Sequence, residues 1–268
     1  MKIFGRSPKR LWSVLPSLPD HVIAAVRCVR LFRQPIHLLV CYARRQNPLD
    51  RQVRLRNGVV LYMSEDPSDI VTVYIIFCRH DYGLIPNGVS VIDIGANIGI
   101  FSVYAALSGA GTVHAYEPCE ESFEILNKNI SCNHLEQTII PRQAVVVGRP
   151  SEPILFPRRS SVFNSQEQKS AIDSDKNTFV KAVTLEEIVR AVHSPSVLKL
   201  DCEGGEYDII LNSNTSAFDR LSEIRLEYHR GPQEQLFDRF EKLGYSKRKH
   251  IHEGAGGGYL WLNKDSLN

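Results

Sequence analysis

From residue 90 onward the chain alternates short, continuous apolar runs with segments of helical period. Ser90-Val91-Ile92-Asp93-Ile94 reads as a strand covered on both faces, and a helix follows from about Ile98 to Leu107. Thr112 to Tyr116 is the next strand; Glu117-Pro118 ends it, and a helical pattern runs on to about Ile130. Ile139-Ile140 and Ala144 to Val147 give a third strand region, Val197 to Leu200 a fourth and Ile224 to Tyr228 a fifth. Thr184 and Glu187 have the spacing of a capping box, which predicts a helix start between the third and fourth. Another helix follows Pro232, and Gly258 to Leu262 is the last strand. Strands alternating with helices predict a doubly wound α/β fold, a mostly parallel sheet with helices on both faces.

The pattern differs on either side of this series. Val53 to Arg56 and Val59 to Tyr62 flank Asn57-Gly58, the signal of a tight hairpin, and residues 69–82 read as a short helix. Residues 149–180 are polar and contain Pro150, Pro153 and Pro157, which suggests a short hairpin and a loop over the sheet edge. Between Val22 and Val40 the chain is apolar, but Arg27, Arg30 and Arg33 interrupt it at helical spacing and Pro35 follows. A spanning helix needs roughly 20 nearly uncharged residues, so this segment predicts an amphipathic helix with an arginine-bearing face. The expected organisation is a basic helical extension over residues 1–50 and one domain over residues 51–268.

Charge sharpens that division. Residues 1–60 hold twelve Lys or Arg against Asp20 and Asp50, a charge of +10, whereas the whole 268-residue chain carries only +2. The start is basic and the body acidic. A basic arm suits an anionic surface such as membrane headgroups, a nucleic acid or a phosphorylated substrate, and it also suits a solvated helix packed on its own domain. The six cysteines, Cys28, Cys41, Cys78, Cys119, Cys132 and Cys202, form no C-x-x-C pair and no Cys/His cluster. They read as reduced thiols, which fits a cytoplasmic protein, with peripheral membrane contact through residues 1–50 as the added expectation.

Open α/β sheets bind ligands at the carboxyl ends of their strands, so the residues just past each strand are the candidates. After the first come Asp93-Ile94-Gly95-Ala96-Asn97-Ile98-Gly99, a glycine turn opening a helix. After the second comes Glu117, a carboxylate placed to accept both hydroxyls of a ribose. The ligand is therefore expected to be a nucleoside. A dinucleotide fingerprint aligned on Gly95 would put its second and third glycines on Asn97 and Ile100, so a pyrophosphate is disfavoured. S-adenosylmethionine has none, and its sulfonium cation suits acidic strand ends such as Asp93, Glu117, Asp201 and Glu203. After the fourth strand stand Asp201-Cys202-Glu203-Gly204-Gly205-Glu206. A capped helix start, whose acids complement the helix dipole, accounts well for Glu206 and less well for Asp201, which ends an apolar run; Asp201 and Glu203 are the candidates for a ligand or catalytic role, with a cap as the alternative for Asp201. After the fifth come Glu227 and His229, the latter a side chain suited to proton transfer near neutrality.

Taken in order, Val91 to Gly99, Tyr116-Glu117-Pro118, Thr184 to Glu187, Leu198 to Glu206 and Leu226 to His229 resemble the FkbM family of methyltransferases, over roughly residues 50–263. The resemblance implies a class I methyltransferase fold with seven strands, the last antiparallel, S-adenosylmethionine as methyl donor, and O-methylation of a natural product or of a sugar in a surface polysaccharide. It implies that Asp93, Gly95, Ala96, Asn97 and Gly99 hold the methionine end, Glu117 with Pro118 the ribose, and Gln143-Ala144 the adenine. Cys202 departs mildly from the family, where an apolar residue such as Val is common.

The expected reaction is an in-line methyl transfer to a hydroxyl oxygen of a small-molecule or glycan acceptor, with Asp201, Glu203 and His229 as candidate bases. No bound metal and no nucleic-acid partner are expected, although Mg²⁺ on strand-end carboxylates is a second way to acidify a hydroxyl. The competing reading is a non-catalytic, methyltransferase-like binding protein at a membrane or a biosynthetic complex. A broken cofactor turn or a missing ribose acid would mark it, and both features are intact.

Overall fold

The computed structural model describes residues 18–159, 177–192, 196–253 and 256–265, and the chain divides into two compact units between Gly83 and Leu84. In the first unit, helix α1 (Leu18–Leu31) is followed by α2 (Pro35–Arg44). Pro35 sits in the first turn of α2, where its missing N–H costs no hydrogen bond, and Arg45 ends the helix in the left-handed region. The expected amphipathic segment is thus two helices rather than one. Ala24 and Cys28 of α1 are buried, as are Leu38 and Cys41 of α2. Strands β1 (Gln52–Arg54) and β2 (Val60–Tyr62) pair antiparallel across the Asn57-Gly58 turn, where Gly58 takes φ +97°. Helix α3 (Asp69–Tyr74) passes into a π-helical turn over Ile75–Arg79, inside the span expected to be one helix.

The second unit is built on a sheet of β3 (Ser90–Ile94), β4 (Thr112–Tyr116), β5 (Ile139–Arg142), β10 (Ser196–Leu200), β11 (Leu221–Tyr228), β12 (Tyr245–Glu253) and β13 (Gly257–Lys264). Their order is β12-β13-β11-β10-β3-β4-β5. The five strands β11, β10, β3, β4 and β5 run parallel, and β13 lies antiparallel between β11 and β12. This is the expected seven-stranded doubly wound sheet with its last strand antiparallel. Every residue of β3 and β10 is buried, which explains why both strands are mostly apolar, with Asp93 and Lys199 as the charged exceptions.

Helices connect the parallel strands: α4 (Ile100–Leu107), α5 (Glu120–Ser131), α6 (Leu185–Ala191), α7 (Glu206–Asn212) and, ahead of β12, α8 (Gln233–Lys242). The Thr184–Glu187 capping box forms: Thr184 Oγ1 accepts from the Glu187 N–H, and the Glu187 carboxylate accepts from the Thr184 N–H. Between β5 and α6 lie β6 (Val145–Val147), β7 (Ile154–Pro157), β8 (Asn177–Val180) and β9 (Ala182–Thr184). β7 and β8 pair antiparallel, joined through a stretch that lies mostly outside the described residues rather than by a tight turn, and β6 pairs parallel with β9. The loop expected over the sheet edge falls on residues 160–176, outside the described residues.

Strand order locates the crevice. The chain winds outward from β3 through β4 to β5, then crosses to β10 on the other side of β3 and winds away through β11. The connections therefore leave β3 and β10 in opposite directions, and a doubly wound sheet opens its ligand crevice at that switch point.

Candidate functional site

The glycine turn stands at the carboxyl end of β3. Gly95, Asn97 and Gly99 have φ of +73°, +49° and +85°, so three of five consecutive residues occupy the left-handed region. Glycine enters it freely and Asn is the side chain that tolerates it best. Space enforces the same choice at Gly95, where an added Cβ would lie 1.8 Å from the Asp201 carbonyl oxygen. At Gly99 it would lie 2.4 Å from Leu126 Cδ1 of α5. The turn is thus wedged against the end of β10, and the Asp201 N–H donates to the Ile94 carbonyl (3.1 Å).

Glu117, at the end of β4, closes the other side. Its Oε2 accepts from the Asn97 N–H and its Oε1 from the Cys119 N–H, both at 2.8 Å. Burial raises its pKa to about 7 against the pull of those two bonds and of Lys199. Ala96 is buried, with its N–H on the Tyr116 carbonyl. Pro118 is half-buried, and its carbonyl accepts from the exposed Gln143 Nε2 at 3.4 Å; the buried Ala144 follows. Strand order therefore brings the expected methionine-end, ribose and adenine residues to neighbouring strand ends.

Asp93 sits beneath the turn, fully buried. Ser102 Oγ donates to its Oδ2 (2.6 Å), and Lys199 Nζ lies 3.1 Å from its Oδ1. Lys199 also donates to the Gly95 carbonyl (2.7 Å) and lies 3.9 Å from Asp201 Oδ2. Burial pulls the ammonium pKa down, but Asp93 and Asp201 together outweigh it and the net shift is upward. A charged lysine inside a buried strand is the signal that sequence reading passed over: it ties the turn, Asp93 and Asp201 into one electrostatic unit.

On the β10–β11 side, Glu203 takes φ +50° and Gly204 φ +103° before α7 begins. The N-cap of α7 is Gly205, with no side-chain cap, so Asp201 does not cap the helix. Glu206 does more than complement the helix dipole. It is fully buried, its Oε2 accepts from the Gly204 N–H, and its Oε1 accepts from the His229 N–H (2.8 Å) and faces His229 Nδ1 (3.1 Å). His229 Nε2 lies 3.3 Å from Glu203 Oε2. The bond to Glu206, opposed by burial and aided by Glu203, raises the His229 pKa to about 9. The imidazole is thus a cation at neutral pH, which fits a hydrogen-bond donor rather than a base. Asp201, Glu227 and His229 each bring one ligand-type atom within 4.8 Å of the others, the arrangement among the described residues that suits a divalent cation.

Comparison with known proteins gives three findings. Residues 93–247 match the model of the methyltransferase FkbM domain. A 54-residue segment is 46% identical to the 31-O-demethyl-FK506 methyltransferase FkbM of Streptomyces tacrolimicus, and this overlap spans 20% of each protein. Among solved structures, the putative tRNA (m1A22) methyltransferase Sp1610 of Streptococcus pneumoniae, in complex with S-adenosyl-L-methionine, is 12% identical (TM-score 0.44; 70% of this chain and 72% of that one). The ribosomal protein L11 methylase of Lactobacillus delbrueckii subsp. bulgaricus is 13% identical (TM-score 0.40; 67% and 72%).

Proposed function

This chain belongs to the FkbM methyltransferase domain family, and from that premise we propose that it moves the methyl group of S-adenosylmethionine to a hydroxyl oxygen of a sugar, polysaccharide or natural product. The observation that carries the reading is the convergence at the switch point, where the Gly95 turn, Glu117 and Asp201 end three adjacent strands, β3, β4 and β10. Glu117 would accept from the ribose hydroxyls, and the turn would hold the amino-acid end through its backbone. With both features intact, a purely non-catalytic binding role is not favoured. S-adenosylmethionine, when bound, supplies an electrophilic methyl on a sulfonium, and the acidic strand ends favour that charge.

An alcohol attacks well only as its proton leaves. His229, a cation at neutral pH, is poorly suited to take that proton and well suited to orient the carboxylates around it. Asp201, at the end of β10 beside the turn, is then the proton acceptor of choice, with Glu203 exposed next to it. A base in this position contributes roughly 10²–10⁴ in rate. The test is Asp201→Asn, assayed with labelled donor and a panel of hydroxylated acceptors. Turnover is expected to fall by roughly that factor while donor affinity holds, since the lost interaction acts in the transition state. EDTA is expected to leave wild-type turnover unchanged. Loss on chelation with recovery on Mg²⁺ addition would shift the role of Asp201, Glu227 and His229 to metal ligation.

A further inference from the structure

We infer that the exposed side of α1 and α2 is a docking surface for a membrane carrying anionic lipid. Each helix buries one apolar stripe, through Ala24 and Cys28 in α1 and through Leu38 and Cys41 in α2. Each then shows a second one to solvent. In α1, Val22, Val26 and Val29 stand at i, i+4 and i+7 with Ile23 beside them, and all four are exposed, Val22 by 57%. In α2, Ile36 (77% exposed) and Val40 stand at i and i+4. Six of the eleven large hydrophobic side chains that are exposed among the described residues fall within these nineteen positions, so the apolar surface is concentrated rather than scattered.

Charge names the occupant. Arg30 stands beside Ile23 on the helical wheel of α1, Arg33 lies in the bend that joins α1 to α2, and Arg44 and Arg45 close α2; all four are exposed. Asp20 is the single acid between residues 18 and 49. At the junction of the helices, Arg33 and Arg54 line a cavity of about 200 Å³ together with Phe32, His37, Leu38 and Asp50. An aliphatic stripe edged by arginines matches the boundary between acyl chains and phosphate headgroups. A protein partner would be expected to find aromatic anchors, and single-stranded nucleic acid a stacking platform, but this stripe is valine and isoleucine. No described helix is long and apolar enough to cross a membrane, so the helices would lie on the surface rather than span it.

The test is co-sedimentation of the full chain with vesicles of phosphatidylcholine alone or with about a third phosphatidylserine. Binding is expected on the mixed vesicles, at least tenfold weaker on the neutral ones, and weaker again in high salt. Arg30→Glu/Arg33→Glu should lower partitioning more than tenfold, since each arginine near an anionic surface contributes about fivefold (~1 kcal/mol). Val26→Asp/Val29→Asp, and separately Val22→Asp/Ile36→Asp, should do the same while leaving the thermal melt and donor affinity in place. The inference is overturned if the wild type ignores anionic vesicles. It is equally overturned if the folded valine variants bind as well as wild type, or if inorganic phosphate at matched ionic strength displaces the protein. A concentration-dependent dimer that the valine variants abolish, without vesicle binding, would assign the face to a second copy of the chain instead.

Discussion

Glu117 has two structural bonds of its own, to the N–H groups of Asn97 and Cys119, and a pKa raised by burial to about 7. A donor whose ribose hydroxyls reach it would meet a group that gains its charge across the neutral range. Glu117→Gln keeps the shape and removes the charge. Titration calorimetry is expected to show affinity for S-adenosylmethionine falling by roughly 10- to 100-fold, the worth of a charge-assisted hydrogen bond of ~1.5–3 kcal/mol. Wild-type affinity should also rise between pH 6 and pH 8, and the variant's should not. For His229 the linkage has the other sense. Its folded pKa of about 9 stands above the ordinary 6.5, so its stabilising contribution is complete below pH 6.5 and is lost as pH rises through 9. Denaturation of wild type and His229→Gln across pH should give a gap on the order of 1–3 kcal/mol at pH 6 that closes by pH 10. A pH-independent gap would mean that Glu206 holds a neutral ring. Glu206 itself was legible only as an acid near a helix start: nothing in its spacing shows that a residue 23 positions away folds onto it.

At the scale of elements, the strands read most directly from the sequence are those buried along nearly their whole length. β3, β4 and β10 are mostly apolar because the sheet's interior leaves water little access, and the charges they do carry, Asp93 and Lys199, pair with each other. The capping box and the Asn57-Gly58 hairpin were equally readable, because local hydrogen bonding decides both. β12 is not legible as a strand: Tyr245-Ser246-Lys247-Arg248-Lys249-His250-Ile251-His252-Glu253 has a basic centre, Lys247-Arg248-Lys249, because it is the sheet's edge, where lysines discourage pairing with another chain. The strictest element is the turn after β3. Gly95→Ala places a methyl 1.8 Å from a backbone oxygen at φ +73°, and backbone cannot swing aside as a side chain can. Strain and overpacking together are expected to cost about 2–5 kcal/mol, read as a lowered denaturation midpoint with donor binding lost. Gly99→Ala meets only the Leu126 side-chain tip, besides its own positive φ, and should be milder. Equal effects would show that crowding against Asp201 is not what fixes the turn.

At the scale of the whole molecule, charge and topology are divided between the two ends of the chain. Residues 1–60 carry +10 within a total of +2, so the remainder is acidic, and the sheet gathers Glu117, Asp201, Glu203, Glu206 and Glu227 at one set of strand ends. That division was visible in the sequence. Which strands stand side by side was not, because neighbours in the sheet are set by crossovers rather than by adjacency along the chain. Hydrogen exchange with and without S-adenosylmethionine tests the resulting picture. A ligand bound at the switch point stabilises the fold around it by RT ln(1 + [L]/Kd), about 2.7 kcal/mol at a hundredfold excess over Kd, so amides that exchange through opening of that unit should slow by roughly a hundredfold. Protection is expected in residues 93–103, 116–123, 196–212 and 224–230, which hold the turn, Glu117, the Asp201–Glu206 stretch and His229. Residues 18–79, in the other unit, should exchange as before. Donor-dependent protection confined to residues 18–79, with the strand ends unchanged, would place the donor site in the wrong unit and remove the switch-point reading.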